Sequence, residues 1–259
     1  KEEKEYYKLA LRMSASVQAK RWTNTKEGGF IYSFNGPHSL FIDTIRTARI
    51  VLAGHKLKHR SLDENDTKID LLQRAIEHAL TTAKYAVFYG EGRDIYDEWG
   101  RVAHESIFNT NDGKYRCPNS QQGFSGFTTW TRGLAWAMVG FSEFLEFLES
   151  EKLSFEGLED VKAILLKAAK ATCDFYIKYT SSNGIPYWDT GAPNINKLGN
   201  YSEREAEINN SYEPIDSSAA AIGAQGLLRL SHLLKETEAK ASKKYMQAGL
   251  GVLQTLLSD

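Results

Sequence analysis

Cysteine is scarce. Cys117 and Cys173 are the two present in 259 residues, which excludes a disulfide framework, leaves both as ordinary thiols and leaves the redox compartment open. Proline is nearly as rare, at five, and no Pro/Ser-rich stretch interrupts the chain, so residues 1–259 are read as one domain. No apolar run approaches the ~20 residues of a membrane span, and Lys1 opens into a polar helix rather than a signal peptide. Because an initiating Met is absent, the chain is expected to be a processed or truncated product, and its localisation stays open. Neither sign of charge dominates. With 32 basic and 33 acidic residues scattered through the chain, no basic face invites nucleic acid or an anionic membrane.

Several chemical signatures are missing too. There is no Gly-x-Ser-x-Gly elbow, no CxxC pair and no phosphate loop, and Gly90-Glu91-Gly92 follows no strand. Asp63, Asn65, Asp66 and Asp70 lack the glycine and terminal glutamate of a calcium loop. His55 and His59 have metal-like spacing, but they lie among lysines with no nearby carboxylate, which favours a solvated face. Neither a metal nor a cofactor is expected.

What is present is a strong helical pattern in a chain with enough apolar content, 42%, for one large core. Tyr6, Leu9, Ala10, Met13 and Val17 mark an amphipathic helix over 3–20. Ser39 reads as the cap of a helix reaching about His55, and Thr67 as the start of one reaching about Phe88. Asn111-Asp112-Gly113 signals a hairpin within a loop-rich stretch. Stripes through Leu134–Leu148 and Val161–Tyr176, a small-residue helix capped by Asp216, and a last helix over 238–257 complete seven helices with almost no strand. A toroid of helical hairpins suits this alternation, and an irregular α-bundle is the alternative.

The most informative run is Pro118-Asn119-Ser120-Gln121-Gln122-Gly123-Phe124 followed by Trp130, Arg132 and Trp136. It sets an amide, a fixed cation and two indoles at a loop-to-helix junction, the mix that holds an acidic sugar: indoles stack on pyranose C–H faces, and a guanidinium grips a carboxylate with two prongs. Core aromatics with a snorkelling arginine are the bland reading, and the adjoining Gln122-Gly123 loop tips the balance towards a saccharide subsite. Asp43, inside the apolar run Leu40–Ile45, is either a first-turn residue favoured by the helix dipole or a desolvated acid with a raised pKa. His104 is a proton shuttle, a substrate donor or a core histidine. Asp189, beside Trp188, is a sugar ligand or an Asx-turn residue, and Asp216 a helix cap.

With these residues assembled, the chain resembles the unsaturated glucuronyl hydrolases of glycoside hydrolase family 88 and, more distantly, the unsaturated rhamnogalacturonyl hydrolases. The resemblance runs from about Arg21 to Leu230 and is most specific in Gln122-Gly123-Phe124 through Trp136, in Ile185-Pro186-Tyr187-Trp188-Asp189 and in Asp216 through Ile222. It implies an all-α (α/α)6 toroid and a substrate with a Δ4,5-unsaturated uronic acid at the non-reducing end of a lyase-generated oligosaccharide. It implies Asp43 as general acid/base, His104 as the second catalytic residue, and Gln122, Trp130, Arg132, Trp136 and Trp188 as substrate-binding residues. The chemistry implied is hydration of a vinyl ether, with one carboxyl serving twice, rather than displacement between two carboxylates. Two departures stand out. Thr47 replaces an Asn that usually follows the catalytic Asp by four residues, and the family's His-Asp-x-Gly-Phe segment, with a second active-site Asp, is absent. A toroid incomplete at its N-terminus, self-association through its uncovered faces, and, as the alternative function, a non-catalytic saccharide-binding remnant are the expectations that follow.

Overall fold

The computed structural model describes residues 2–63 and 65–258. Among these are seven α-helices: α1 (Glu2–Lys20), α2 (Thr47–Lys56), α3 (Leu71–Tyr85), α4 (Thr131–Ser150), α5 (Leu158–Lys178), α6 (Ser217–Leu234) and α7 (Ala239–Leu257). They pack as successive hairpins in two layers. α2, α4 and α6 are neighbours in one layer, α1, α3 and α5 in the other, and α7 lies against α6. This is the α/α toroid architecture that the helix–loop alternation predicted.

Close approach within the inner layer depends on small residues. A Cβ on Gly140 of α4 would stand 2.4 Å from the Ile45 side chain, and one on Gly226 of α6 would stand 2.6 Å from Met138 Cβ. Burial on both sides follows for α4, whose Leu134, Ala135, Met138, Val139, Phe141 and Phe144 are all in the core. Asp70 and Asp216 cap α3 and α6, accepting from the amides of Gln73 (3.0 Å) and Ala219 (2.8 Å).

Four expectations are corrected. Strands are more numerous than the sequence indicated, because short pairings made by loops carry no periodic signal: β1 (Trp22–Thr25) with β2 (Gly28–Ile31), β3 (Ser39–Phe41) with β6 (Glu105–Asn109) and β7 (Lys114–Asn119), and β4 (Ser61–Leu62) with β5 (Lys68–Ile69). Ser39 therefore opens a strand instead of capping a helix. Its hydroxyl is given to Glu105, and Ile42–Arg46 forms a 3-10 turn before α2 begins. Thr67 likewise precedes β5, and the α3 cap is Asp70. Last, the apolar stripe of α1 faces outward. Tyr6, Leu9, Met13 and Val17 are each more than half exposed, whereas Ala15 and Ala19 are buried, with Gly54 of α2 close against Ala15. The small face of α1 wins because it lets the helix axes approach. The hairpin at Asn111–Gly113 joins β6 and β7 as expected. No helix among the described residues is long and apolar enough to cross a membrane.

Candidate active site

The three-stranded sheet brings Asp43 to His104. Phe41 pairs with Glu105 in the antiparallel register of β3 and β6, and the Ile42 amide then donates to the His104 carbonyl at 3.0 Å, so the ladder runs on to the start of the 3-10 turn. Asp43 is the first-turn acid of that turn. His104 Nε2 lies 3.9 Å from Asp43 Oδ1, too long for a hydrogen bond, and neither atom has a hydrogen-bond partner among the described residues.

The tautomer of His104 follows from its partners. The backbone amides of Gln121 and Gln122 both donate to Nδ1, at 3.0 and 3.2 Å, so Nδ1 carries the lone pair and Nε2 carries the proton. The ring is stacked on Phe41 (centroids 4.8 Å apart, planes 12° apart) and met edge-on by Trp130, also at 4.8 Å. Burial drives its pKa down to about 4, against a smaller upward pull from Glu105, so His104 is neutral at ordinary pH. Burial acts on Asp43 in the other direction. It raises the carboxyl pKa, with a hydrogen bond to its own backbone opposing. Such a carboxyl, with about a third of its side chain open to solvent, is suited to hold and release a proton.

The Gln-Gly loop is built on Asp189. That residue is fully buried, takes the Phe124 amide on Oδ2 and the Gly191 amide on Oδ1, both at 2.9 Å, and has its pKa raised chiefly by burial. The two bonds identify it as a turn-forming and loop-supporting residue. A Cβ at position 123 would fall 2.9 Å from both Asp189 Oδ2 and Trp130 Cβ, which explains the glycine after Gln122. Gln122 itself is exposed, with its amide aimed at His104.

The Ile185–Asp189 segment ties two helix starts together. The Thr131 amide donates to the Trp188 carbonyl (3.0 Å), and the Trp188 amide to the Pro214 carbonyl (3.1 Å), which sets the N-termini of α4 and α6 side by side. Arg132 and Asp216 meet there. Arg132 Nε and Nη2 are 3.0 and 2.9 Å from Asp216 Oδ2, so the fork expected to be free for a carboxylate is partly turned onto a protein carboxylate. The Nη1 side remains, on a side chain that is 42% exposed. Asp216 thus both caps α6 and steers this cation.

The three indoles are placed differently. Trp130 is 7% exposed and forms part of the wall behind His104. Trp136 is half-buried, with the Arg46 guanidinium 4.7 Å from its ring, so one indole face is already covered. Trp188 donates its Nε1–H to Glu213 Oε2 at 2.7 Å, and Glu213 also holds the Asn194 amide. Sequence reasoning missed Phe41, Glu105, Arg46 and Glu213. Glu105 had a signal, a charge at the start of the otherwise uncharged run Ser106–Thr110. Phe41 and Arg46 had none, since their roles come from partners distant in sequence.

No protein-family model matches the chain. It is 26% identical over 260 residues to an unsaturated glucuronyl hydrolase of Formosa agariphila, an alignment covering 98% of this chain and 52% of that protein. It is 30% identical over 135 residues to the unsaturated glucuronyl hydrolase of Bacillus sp. strain GL1, covering 52% of this chain and 29% of the relative. The solved structure of the Bacillus sp. GL1 enzyme, described as responsible for the degradation of glycosaminoglycan, superposes with a TM-score of 0.70 at 22% identity, over 97% of this chain and 56% of its own. A solved unsaturated glucuronyl hydrolase specific for heparin gives 0.68 at 21% identity, over 96% and 55%. The chain spans about half the length of these relatives.

Proposed function

We propose that this chain carries the catalytic half-site of an unsaturated glucuronyl hydrolase, acting on a Δ4,5-unsaturated uronic acid at the non-reducing end of an oligosaccharide. The observation that carries the proposal is the pair formed by Asp43 and His104. A carboxyl with a raised pKa faces a neutral imidazole whose one proton sits on Nε2, and the facing atoms of both are unspent. Likeness to unsaturated glucuronyl hydrolases along 98% of the chain supports the same reading.

The unsaturated ring is a vinyl ether. In the proposed reaction, Asp43 gives its proton to C4, the C4–C5 π pair forms the new C–H bond, and positive charge develops at C5 and the ring oxygen. The resulting carboxylate takes a proton from water as the water oxygen bonds to C5, which restores the acid and leaves a hemiketal. Ring opening of that hemiketal expels the neighbouring sugar. His104, held neutral, donates from Nε2 to a substrate oxygen and does not compete for the Asp43 proton. Arg132 offers its Nη1 side to the uronate carboxylate, Gln122 stands at the loop edge, and the exposed parts of Trp136 and Trp188 bound the sugar.

Incubating the protein with an unsaturated uronyl disaccharide and following the ultraviolet absorbance of the conjugated double bond tests this. Loss of absorbance with release of the second sugar is expected. Calorimetric binding without any loss of absorbance would replace the proposal with a saccharide-binding role.

A further inference from the structure

Glu105 is wholly buried, and no basic side chain among the described residues pairs with it. Its two oxygens instead accept four side-chain donors. Oε1 takes Asn35 Nδ2 (2.5 Å) and the Ser39 hydroxyl, and Oε2 takes Asn119 Nδ2 (2.6 Å) and Gln121 Nε2 (3.2 Å). A buried carboxylate without a counter-ion is costly and is tolerated when hydrogen bonds fill its lone pairs. The strand register does not need this arrangement, because the main chain of Glu105 already pairs with Phe41 on one side and Asn119 on the other. What the side chain adds is a link between two segments. Asn35 and Ser39 precede Asp43, and Asn119 and Gln121 begin the loop whose amides point at His104.

We propose that Glu105 is a positioning residue for His104: its carboxylate fastens the 119–122 loop to β3, holds the Gln121 and Gln122 amides on Nδ1, and thereby keeps the imidazole proton on Nε2, towards Asp43. The consequence for turnover rests on the function proposed above, whereas the hold on the ring does not. Among the described residues two ionisable groups face the imidazole, Asp43 from the 3-10 turn and Glu105 from its own strand. Phe41 and Trp130 cover its other sides, and the loop contributes uncharged Ser120, Gln121 and Gln122. Removing the Glu105 charge lowers the proton affinity of the ring, and losing the amide donors raises it. The tautomer therefore discriminates where a pKa alone does not.

Nitrogen-15 NMR of the His104 ring reads the tautomer directly. The wild-type chain is expected to show the Nε2–H form alone between about pH 6 and 8. Glu105→Gln places an amide N–H2 among four donors and must repel at least one. The Nδ1–H form should then appear at roughly a tenth or more of the ring population, with uronide turnover falling in proportion to the Nε2–H population lost. A folded Glu105→Gln protein with an unchanged Nε2–H signal would overturn the proposal. If that variant does not fold, Gln121→Ala, which removes one rung at an exposed residue, decides in its place. A minor Nδ1–H population supports the proposal and an unchanged tautomer overturns it. A shifted tautomer in a protein whose wild type leaves unsaturated uronides intact would remove the proposed function and keep the role of Glu105.

Discussion

Acidification should weaken this fold through two buried histidines, and the size of the effect can be worked out. His78 is fully buried. Its Nδ1 accepts from the Ile31 amide at 3.2 Å, and its Nε2 donates to the Thr44 carbonyl at 2.9 Å, one residue from Asp43. Burial lowers its pKa from 6.5 to about 4, against the upward pull of the Thr44 bond, and His104 is lowered to the same region. A group whose folded pKa is depressed contributes stability that is present above the unfolded pKa and is lost as pH falls towards the folded one. Between pH 7 and pH 5 the unfolded chain takes up about 0.7 of a proton per histidine, nearly all of which the folded chain refuses, which costs about 2 kcal/mol for each. His78→Gln isolates one of the two, because the amide has one acceptor and one donor for the same partners and does not titrate. Urea unfolding at the two pH values should show wild type losing about 2 kcal/mol more than the variant. Equal losses in both proteins would mean that His78 takes up its proton without opening the structure, and the argument from burial would fail.

Further outcomes are expected. Asp43→Asn keeps shape but has no proton to deliver, so the absorbance assay should fall on the order of a thousandfold with the unfolding midpoint little changed, and wild-type rates would remove Asp43 from the mechanism; in wild type, kcat/KM should fall as pH rises through the raised Asp43 pKa. Arg132→Lys should weaken binding of unsaturated uronyl disaccharides and leave neutral disaccharides unaffected, because a point cation cannot serve Asp216 and a substrate carboxylate together; calorimetry showing equal losses would restrict Arg132 to capping the α4–α6 junction. Gly100 has a φ of +85°, and a Cβ there would fall 1.9 Å from the Ala171 carbonyl oxygen, so Gly100→Ala should cost more than about 2 kcal/mol in urea unfolding, and a neutral result would show that the 97–101 turn moves freely from α5.

The exposed apolar stripe of α1 bears on solution behaviour. Tyr6, Leu9, Met13 and Val17 form a continuous uncovered face, and faces of this kind promote association. Light scattering should show mass rising with concentration, and Leu9→Glu with Met13→Glu should reverse it. A monomer at all concentrations in wild type would refute this.

The seven helices, the α6 cap and the Asn111–Gly113 hairpin were legible in the sequence because each is set by near neighbours: apolar residues recurring every 3.6 positions, an acceptor three residues before an amide, or a turn that favours Asn, Asp and Gly. The candidate site residues were legible as chemical types, an acid in an apolar run, a histidine, and an Arg among indoles. The meaning of each was left open. Asp189 could be a sugar ligand or a turn former, and its bonds to Gly191 and Phe124 made it a support. Arg132 looked free until Asp216, far along the chain, was found on its fork. Ser39 had the local form of a helix cap, yet pairing with β6 and the buried Glu105 oxygens outweighed that preference. α1 shows the same order of effects: a few apolar side chains predicted its buried face, and the close contact of Ala15 with Gly54 reversed it. By itself the sequence determined which segments coil and which residue types could carry the chemistry, since both depend on neighbours within a few positions. Only the tertiary structure decided which side chains share a desolvated space, because contact, burial and therefore protonation at Asp43 and His104 arise from strands and helices that meet across long stretches of chain.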